Sequence, residues 1–260
     1  PPVQRQYHGL AHVVLLPGMV VQPAGSPVRS GGGRHARMTA MTRAVVFDLD
    51  GTLTDTETVW DAVRRGLAAD DGRPWPAEAS TTMMGMSTQQ WSAYLVDEVG
   101  LAGTPQEAAT RTIEGMRDHY RAGVTLLPGA PGIVHRLGAV WPLGVASSSP
   151  RILIDTALEV MGVADLISAT VSTEELGHGK PAPDVYQAVC RQLGTEPGDT
   201  VAIEDSPNGI RSAVAAGLKV IVVPPAFHPP GPDELALADL VVDSLDDISV
   251  EVVADLLGGR

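Results

Sequence analysis

The chain has 260 residues, 44% of them apolar, with 18 basic and 31 acidic side chains and a formal net charge of −13. That length holds one large domain, or a core with an inserted smaller one, and the apolar content supports a sizeable core. The acidic balance excludes general binding to a nucleic-acid backbone but not a phosphorylated small molecule whose charge a bound metal offsets.

In chain order, residues 1–37 stand apart: they contain no Asp or Glu, four Arg, and a Pro/Gly-rich texture ending in "SPVRSGGGRHAR". They read as a disordered upstream extension without a fold of its own; "AHVVLLPGMVV" is apolar, but Pro17 and Gly18 interrupt it and no cleavage site follows. No apolar run reaches transmembrane length, so no membrane partner is expected. The lone Cys190 permits no intrachain disulfide and lies in a helical pattern, where core packing is expected. The chain reads as soluble and cytoplasmic, with a monomer as the default.

From Ala44 the texture alternates. "AVVF" reads as a short buried strand. Helical periodicity fills residues 57–122, with breaks near "DGRPWPAE", "GMST" and "GLAGTP", and "LLPGAPG" reads as a hinge followed by a helix to about Gly138. Then come "LGVASS" (strand), "PRILIDTALEVMG" (helix), "ISATVS" (strand), "PDVYQAVCRQLG" (helix), "TVAIED" (strand), "PNGIRSAVAAG" (helix) and "KVIVVP" (strand). Short, continuous, β-branched strands alternating with helices predict an α/β fold: a Rossmann-like parallel sheet with helices on both faces. The helical block after the first strand is too long for a simple crossover and predicts an inserted cap at 57–127, between core segments 43–56 and 128–260.

In such a sheet ligands bind at the carboxyl ends of the strands. "VVFDLDGTLTDTE" brings Asp48 and Asp50 to the first strand's end, "LGVASS" delivers Ser147 and Ser148, and "TVAIED" delivers Glu204 and Asp205. Four carboxylates at one edge repel unless a hard cation sits among them, and Mg²⁺ suits carboxylate, carbonyl and water oxygens. Lys180, one of only two lysines, adds a positive charge from "GHGKPAPD". Singly, each piece has a plainer reading: "DGT" is a turn signal, "SSSPR" puts Ser148 or Ser149 at a helix N-cap before Pro150, and "EDSPNG" and "KPAPD" are loops before helices. Their order and their shared placement at strand ends argue against four coincidences.

Together these elements resemble the haloacid dehalogenase superfamily from about Ala44 to Val223, and within it the branch of β-phosphoglucomutase-like and sugar-phosphatase-like enzymes, which carry a helical cap just after the first motif. The resemblance implies a Mg²⁺-dependent phosphatase acting on a small phosphorylated metabolite, a sugar phosphate above all. Asp48 is then the nucleophile that forms an aspartyl-phosphate. Asp50 is the acid that protonates the leaving oxygen and the base that later activates water. Asp48, the Asp50 carbonyl and Asp205 hold the metal with help from Glu204, while Ser147, Ser148 and Lys180 hold the transferring phosphoryl group.

Asp50 disfavours a dehalogenase, whose pattern lacks that acid, and a cap without lysine disfavours a phosphonate hydrolase working through a Schiff base. The alternative is a β-phosphoglucomutase-type mutase. Its pattern carries an arginine where this chain has Thr88 in "GMST", and a histidine where this chain has Trp60 in "DTETVW". Thr88 and Trp60 are therefore the candidate cap contacts to substrate, and hydrolysis is favoured over phosphoryl shuttling. Met83, Met84, Met86 and Trp91 are candidates for shaping the entrance, with cap core as the commoner fate of such side chains. Arg64, Arg65, Arg111 and Arg117 are the basic groups available for a distal phosphate, with solvated helix surface as the expectation for each.

Overall fold

The computed structural model describes residues 42–84, 86–226 and 229–258; the expectation for residues 1–37 lies outside them. Six strands form one sheet: β1 (Ala44–Phe47), β2 (Leu143–Ser147), β3 (Ile167–Ser172), β4 (Thr200–Glu204), β5 (Lys219–Val222) and β6 (Leu240–Val241). Their spatial order is β3-β2-β1-β4-β5-β6, and each neighbouring pair is parallel.

The unbroken apolar runs of the central strands follow from burial on both faces. Val45 and Phe47 point into one core with Val145, Val201 and Ile203; Val46 points into the other with Ala146 and Ala202. Successive strand residues face opposite ways, so neither face tolerates a polar residue until the strand ends. The first core also takes Ile133 and Val134 from the helix Ala130–Gly138 and Leu153 and Ile154 from the helix Arg151–Met161. The second takes Val185 and Val189 from Asp184–Leu193 and Ile210 and Ala213 from Pro207–Ala216. Cys190 is 2% exposed in the second core, as its helical setting predicts.

Between β1 and the helix at Ala130 the chain builds the cap from α1 (Glu57–Asp70), α2 (Ala79–Met83), α3 (Thr88–Asp97) and α4 (Pro105–Ala122). Two of these begin with capping boxes, Ser87 with Gln90 and Thr104 with Glu107, each side chain taking the other residue's backbone N–H. The outgoing and returning connections run side by side. Asp55 N–H donates to Thr125 O at 2.9 Å, and Leu127 N–H donates to Leu53 O at 3.1 Å, beside an antiparallel bridge between Thr54 and Leu126. Numbering on from the cap, the helices of the core are α5 (Ala130–Gly138), α6 (Arg151–Met161), α7 (Asp184–Leu193), α8 (Pro207–Ala216), α9 (Pro232–Leu235) and α10 (Val250–Leu256). Among the described residues no helix is long and apolar enough to cross a membrane.

One local expectation is corrected: the N-cap of α6 is Pro150, with no side-chain cap, so neither Ser148 nor Ser149 caps it. The N-cap of α7 is Pro183, and the Asp184 carboxylate lies 3.8 Å from His178. Asn208 reaches out of the core: its amide donates to Met84 O of the cap at 3.2 Å.

Candidate active site

β1 lies between β2 and β4, so its end opens where the strand order reverses, the crevice in which open α/β sheets bind ligands. Register pairs Phe47 with Val145 on one side and with Ile203 on the other. The next residue, Asp48, its N–H fixed to Ile203 O at 3.0 Å, thereby emerges beside Glu204, with Ser147 one residue further along β2. Lys180 arrives from the loop between β3 and α7. Its ammonium donates to Asp48 Oδ1 and to Glu204 Oε1, both at 2.6 Å, with a 3.5 Å contact to the Tyr186 hydroxyl. Asp48 is 6%, Lys180 3%, Glu204 0% and Asp205 1% exposed.

A charge cluster this deep is costly unless it balances. Burial opposes the Lys180 charge, but Asp48 and Glu204 outweigh it and hold its pKa above the ordinary value. Burial pushes the Asp48 carboxyl up to about 8; Lys180 pulls against that rise and Glu204 adds to it. Asp205 is pushed well above its usual range by burial and then by Asp48 and Glu204. The protein supplies too little positive charge: Asp48, Glu204 and Asp205 are three carboxylates around one ammonium, a shortfall equal to the charge of a divalent cation.

The oxygens fit such a cation. Asp48, Glu204 and Asp205 each offer one within 4.8 Å of the others. Asp205 Oδ1 accepts from the Thr52 hydroxyl at 3.1 Å, while Asp205 Oδ2 is buried with no hydrogen-bond partner among the described residues. Gly51, at φ 86°, lies against that orphan oxygen, and a Cβ there would sit 2.1 Å from it. Only glycine leaves this pocket open. Glu204 plays a different part. Its Oε1 accepts from Lys180 and Tyr186, and its Oε2 from the N–H groups of Asp205 and Ser206 and the Ser206 hydroxyl. With both oxygens engaged, it anchors Lys180 behind the Asp48–Asp205 pair. Hard oxygen ligands of this kind suit Mg²⁺.

Asp50 faces away from that cluster. Its Oδ1 accepts from the Thr56 hydroxyl at 2.5 Å and from Trp60 Nε1 at 3.2 Å, and its Oδ2 from the Ser149 hydroxyl at 2.6 Å. A serine hydroxyl donates or accepts as needed, so Ser149 can follow a proton on or off Asp50. Ser147 Oγ accepts the Ser149 N–H at 3.0 Å, which holds the β2 tip in a tight turn facing Asp48 and Asp50.

These groups line a cleft partly open to solvent and roofed by the cap. Of the residues expected from sequence, Asp48, Asp50, Ser147, Ser148, Lys180 and Trp60 line it together. Glu204 and Asp205 lie beneath. Thr88 does not line it; it sits at the start of α3 in a separate depression with His178 and Gly179. Met83 and Trp91 belong to the core with Met86 packed against it, and these three together with Met84 form part of the cavity wall. Sequence reasoning missed Thr52, Thr56, Ser149, Tyr186 and Glu57, and it expected Arg64 on the solvated helix surface, whereas that side chain is buried and lines the cavity. Tyr186 carried one available signal: it lies six residues after Lys180 on the buried face of α7.

Burial and then Glu204 raise the Tyr186 pKa, so its hydroxyl stays a donor, 2.6 Å from Glu204 Oε1. Tyr186→Phe removes one hydrogen bond to a charged group without overfilling the core. It is expected to lower stability by about 1.5–3 kcal/mol, measured by urea denaturation. An unchanged midpoint would mean that Lys180 alone satisfies Glu204.

A family model described as haloacid dehalogenase-like hydrolase matches residues 42–217. The plasmid-encoded protein CbbY of Cupriavidus necator is 33% identical over 221 residues, covering 79% of this chain and 86% of that one. Hexitol phosphatase B of Escherichia coli is 31% identical over 224 residues, covering 83% and 96%. The crystal structure of β-phosphoglucomutase from Clostridium difficile superposes with a TM-score of 0.73 at 21% identity, covering 84% of this chain and 98% of that one, a likeness of fold.

Proposed function

We infer that this chain, which belongs to the haloacid dehalogenase-like hydrolase family, is a Mg²⁺-dependent phosphatase. Its substrate is a small phosphorylated metabolite, most simply a sugar or polyol phosphate, and it works through an aspartyl-phosphate. The observation that carries this reading is the junction of Asp48, held at 2.6 Å by Lys180, with Asp205, whose buried Oδ2 has no partner among the described residues. Relatives named as phosphatases of small phosphate esters support it. Cytoplasmic location and a monomeric state belong to the same reading; the buried, unpaired Cys190 is compatible with a reducing compartment.

The chemistry follows from the donors and acceptors at hand. An Asp48 oxygen attacks phosphorus in line with the ester bond, and that P–O bond breaks. Asp50 delivers its proton to the leaving alkoxide, which departs as the alcohol. Asp50, now ionised, takes a proton from a water molecule whose oxygen attacks the phosphorus of the aspartyl-phosphate. Orthophosphate leaves, and the Asp48 carboxylate and the Asp50 acid are restored. Lys180 and the Ser147 hydroxyl stabilise the equatorial phosphoryl oxygens. Asp48, Asp205 and the Asp50 carbonyl would hold Mg²⁺, which supplies Lewis-acid neutralisation of phosphoryl charge.

Mg²⁺ also has an expected effect on stability. A cation bound only to the folded state at a hundredfold excess over its Kd contributes about 2.7 kcal/mol. For a chain of this size that is a rise in Tm of roughly 5–10 °C. Differential scanning fluorimetry of chelator-treated protein with added Mg²⁺ checks this, with Asp205→Asn expected to lose the rise. No rise in the parent protein would remove the metal from the reading. Hydrolysis is distinguished from mutase activity by offering β-glucose-1-phosphate with a bisphosphate activator: steady release of orthophosphate without isomerisation is expected.

A further inference from the structure

Arg64 is the one cap arginine of the four considered whose guanidinium is turned inward. Arg65 pairs with Asp61 and lies over Trp75, and Arg111 makes a two-pronged bridge to Asp71 at 2.9 Å on each arm. Arg64 is 8% exposed and makes no hydrogen bond or ion pair among the described residues, and its buried Nε has no acceptor. What holds it is aromatic. Its guanidinium lies 4.8 Å from the Trp60 ring centroid and 4.9 Å from that of Trp91, the two indoles being 6.0 Å apart. Two aromatic faces fix the plane of the fork without using any of its five N–H donors. A buried charge with its donors unspent is costly by itself, and this one lines the same cavity as Asp48, Asp50 and Lys180.

The other charged group on this wall is Glu57. Glu57, Trp60 and Arg64 fall at i, i+3 and i+7, one face of α1, and all three line the cavity. The floor already balances a phosphoryl group through Lys180 and the divalent site. The cap wall carries one acid and one base and is neutral as a pair. A second phosphate placed against Arg64 would also face the Glu57 carboxylate on the same wall. A chain of hydroxyls suits the wall better: each accepts from the guanidinium fork or donates to the Glu57 carboxylate, and the indole faces pack against C–H surface.

We propose that Arg64 and Glu57, set by the Trp60–Trp91 clamp, form a donor–acceptor pair that reads the hydroxyls of the substrate's organic part, selecting monophosphates of neutral polyols over bisphosphates. The proposal rests on the phosphatase reading and adds to it the residues that choose the substrate. Arg64 and Glu57 are positioned to touch substrate at the far end from the phosphorus, so they govern KM more than kcat.

The test compares a hexitol monophosphate, fructose bisphosphate and phenyl phosphate, with Mg²⁺ present. The parent protein is expected to favour the hexitol monophosphate over both others in kcat/KM. In Arg64→Met, kcat/KM for the hexitol ester is expected to fall at least about tenfold further than that for phenyl phosphate, mostly through KM. Glu57→Leu, at a less buried position, gives the same change should Arg64→Met fold poorly. Arg64→Lys keeps the charge and loses the fork, and is expected to behave like Arg64→Met. A parent protein preferring fructose bisphosphate, with Arg64→Lys retaining that preference, would overturn the polyol assignment in favour of an anion site. Equal losses on all three esters in every variant would overturn it in favour of a purely structural arginine. If the parent protein hydrolyses phenyl phosphate without any hexitol preference, this proposal fails and the phosphatase reading stands; if it hydrolyses none of the three, both fall.

Discussion

Asp48→Asn is expected to lower phosphate release by on the order of 10⁵-fold or more, the scale on which covalent enzymes fail when the nucleophile is removed. The amide is nearly isosteric and keeps an oxygen for Lys180, which retains its second partner, Glu204, at 2.6 Å. The fold should not suffer. Burial already pushes the Asp48 carboxyl up to about 8, so the native environment opposes its charge, and a neutral group there relieves strain among three carboxylates. The variant should therefore combine a Tm equal to or above that of the parent with lost turnover. Orthophosphate assays across a panel of phosphate esters and a thermal melt measure both. Retained turnover would eliminate Asp48 as nucleophile, and lost turnover with a collapsed Tm would show only that the site had been damaged.

That separation of chemistry from folding bears on what could be read from sequence. Groups at strand ends were legible because topology fixes them: a parallel strand buried on both faces must be apolar until it ends, so the first polar residues mark the open edge. Asp48, Ser147, Glu204 and Asp205 follow that rule, and the segments read as strands from "AVVF" to "KVIVVP" coincide with β1 to β5. Beyond Val223 the pattern yielded nothing. β6 has two residues, α9 four and α10 seven, too short for a period to show.

Within the site, what stayed hidden was direction. Helical spacing predicted that Tyr186 would be buried, not that its hydroxyl would complete the Glu204 shell. Ser149 stands where a cap is expected, yet the chain turns so that its hydroxyl meets Asp50, ninety-nine residues earlier in sequence. Arg64 belongs to a helix with charged neighbours, where solvent exposure is the ordinary outcome. Only the packing of α1 and α3 on α4, with Trp91 brought to 6.0 Å from Trp60, turns it inward. A surface arginine and a clamped one have the same local sequence signal; the difference is a contact between helices that no single window contains.

The same reasoning makes Lys180 the residue on which folding and chemistry depend together. It is 3% exposed and is the ammonium set directly against the buried carboxylates of Asp48 and Glu204. Removing one partner of a buried charge pair leaves the other uncompensated, a loss of about 3–5 kcal/mol. Lys180→Met, which keeps much of the apolar stem, is therefore expected to lower Tm by roughly 10 °C and to abolish turnover. The double variant Lys180→Met/Glu204→Gln separates the two losses. Neutralising Glu204 removes the orphaned charge; the Gln carbonyl can still accept from the backbone amides of Asp205 and Ser206 while its NH2, in place of Oε1, donates to the Tyr186 hydroxyl, so most of the stability should return. Activity should not, because the phosphoryl oxygens still lack their cation. Urea denaturation and phosphate release on both variants decide it. If Lys180→Met proves as stable as the parent, the carboxylates have found another counter-charge and the account of the cluster is wrong. If the double variant regains turnover, Lys180 serves the fold alone.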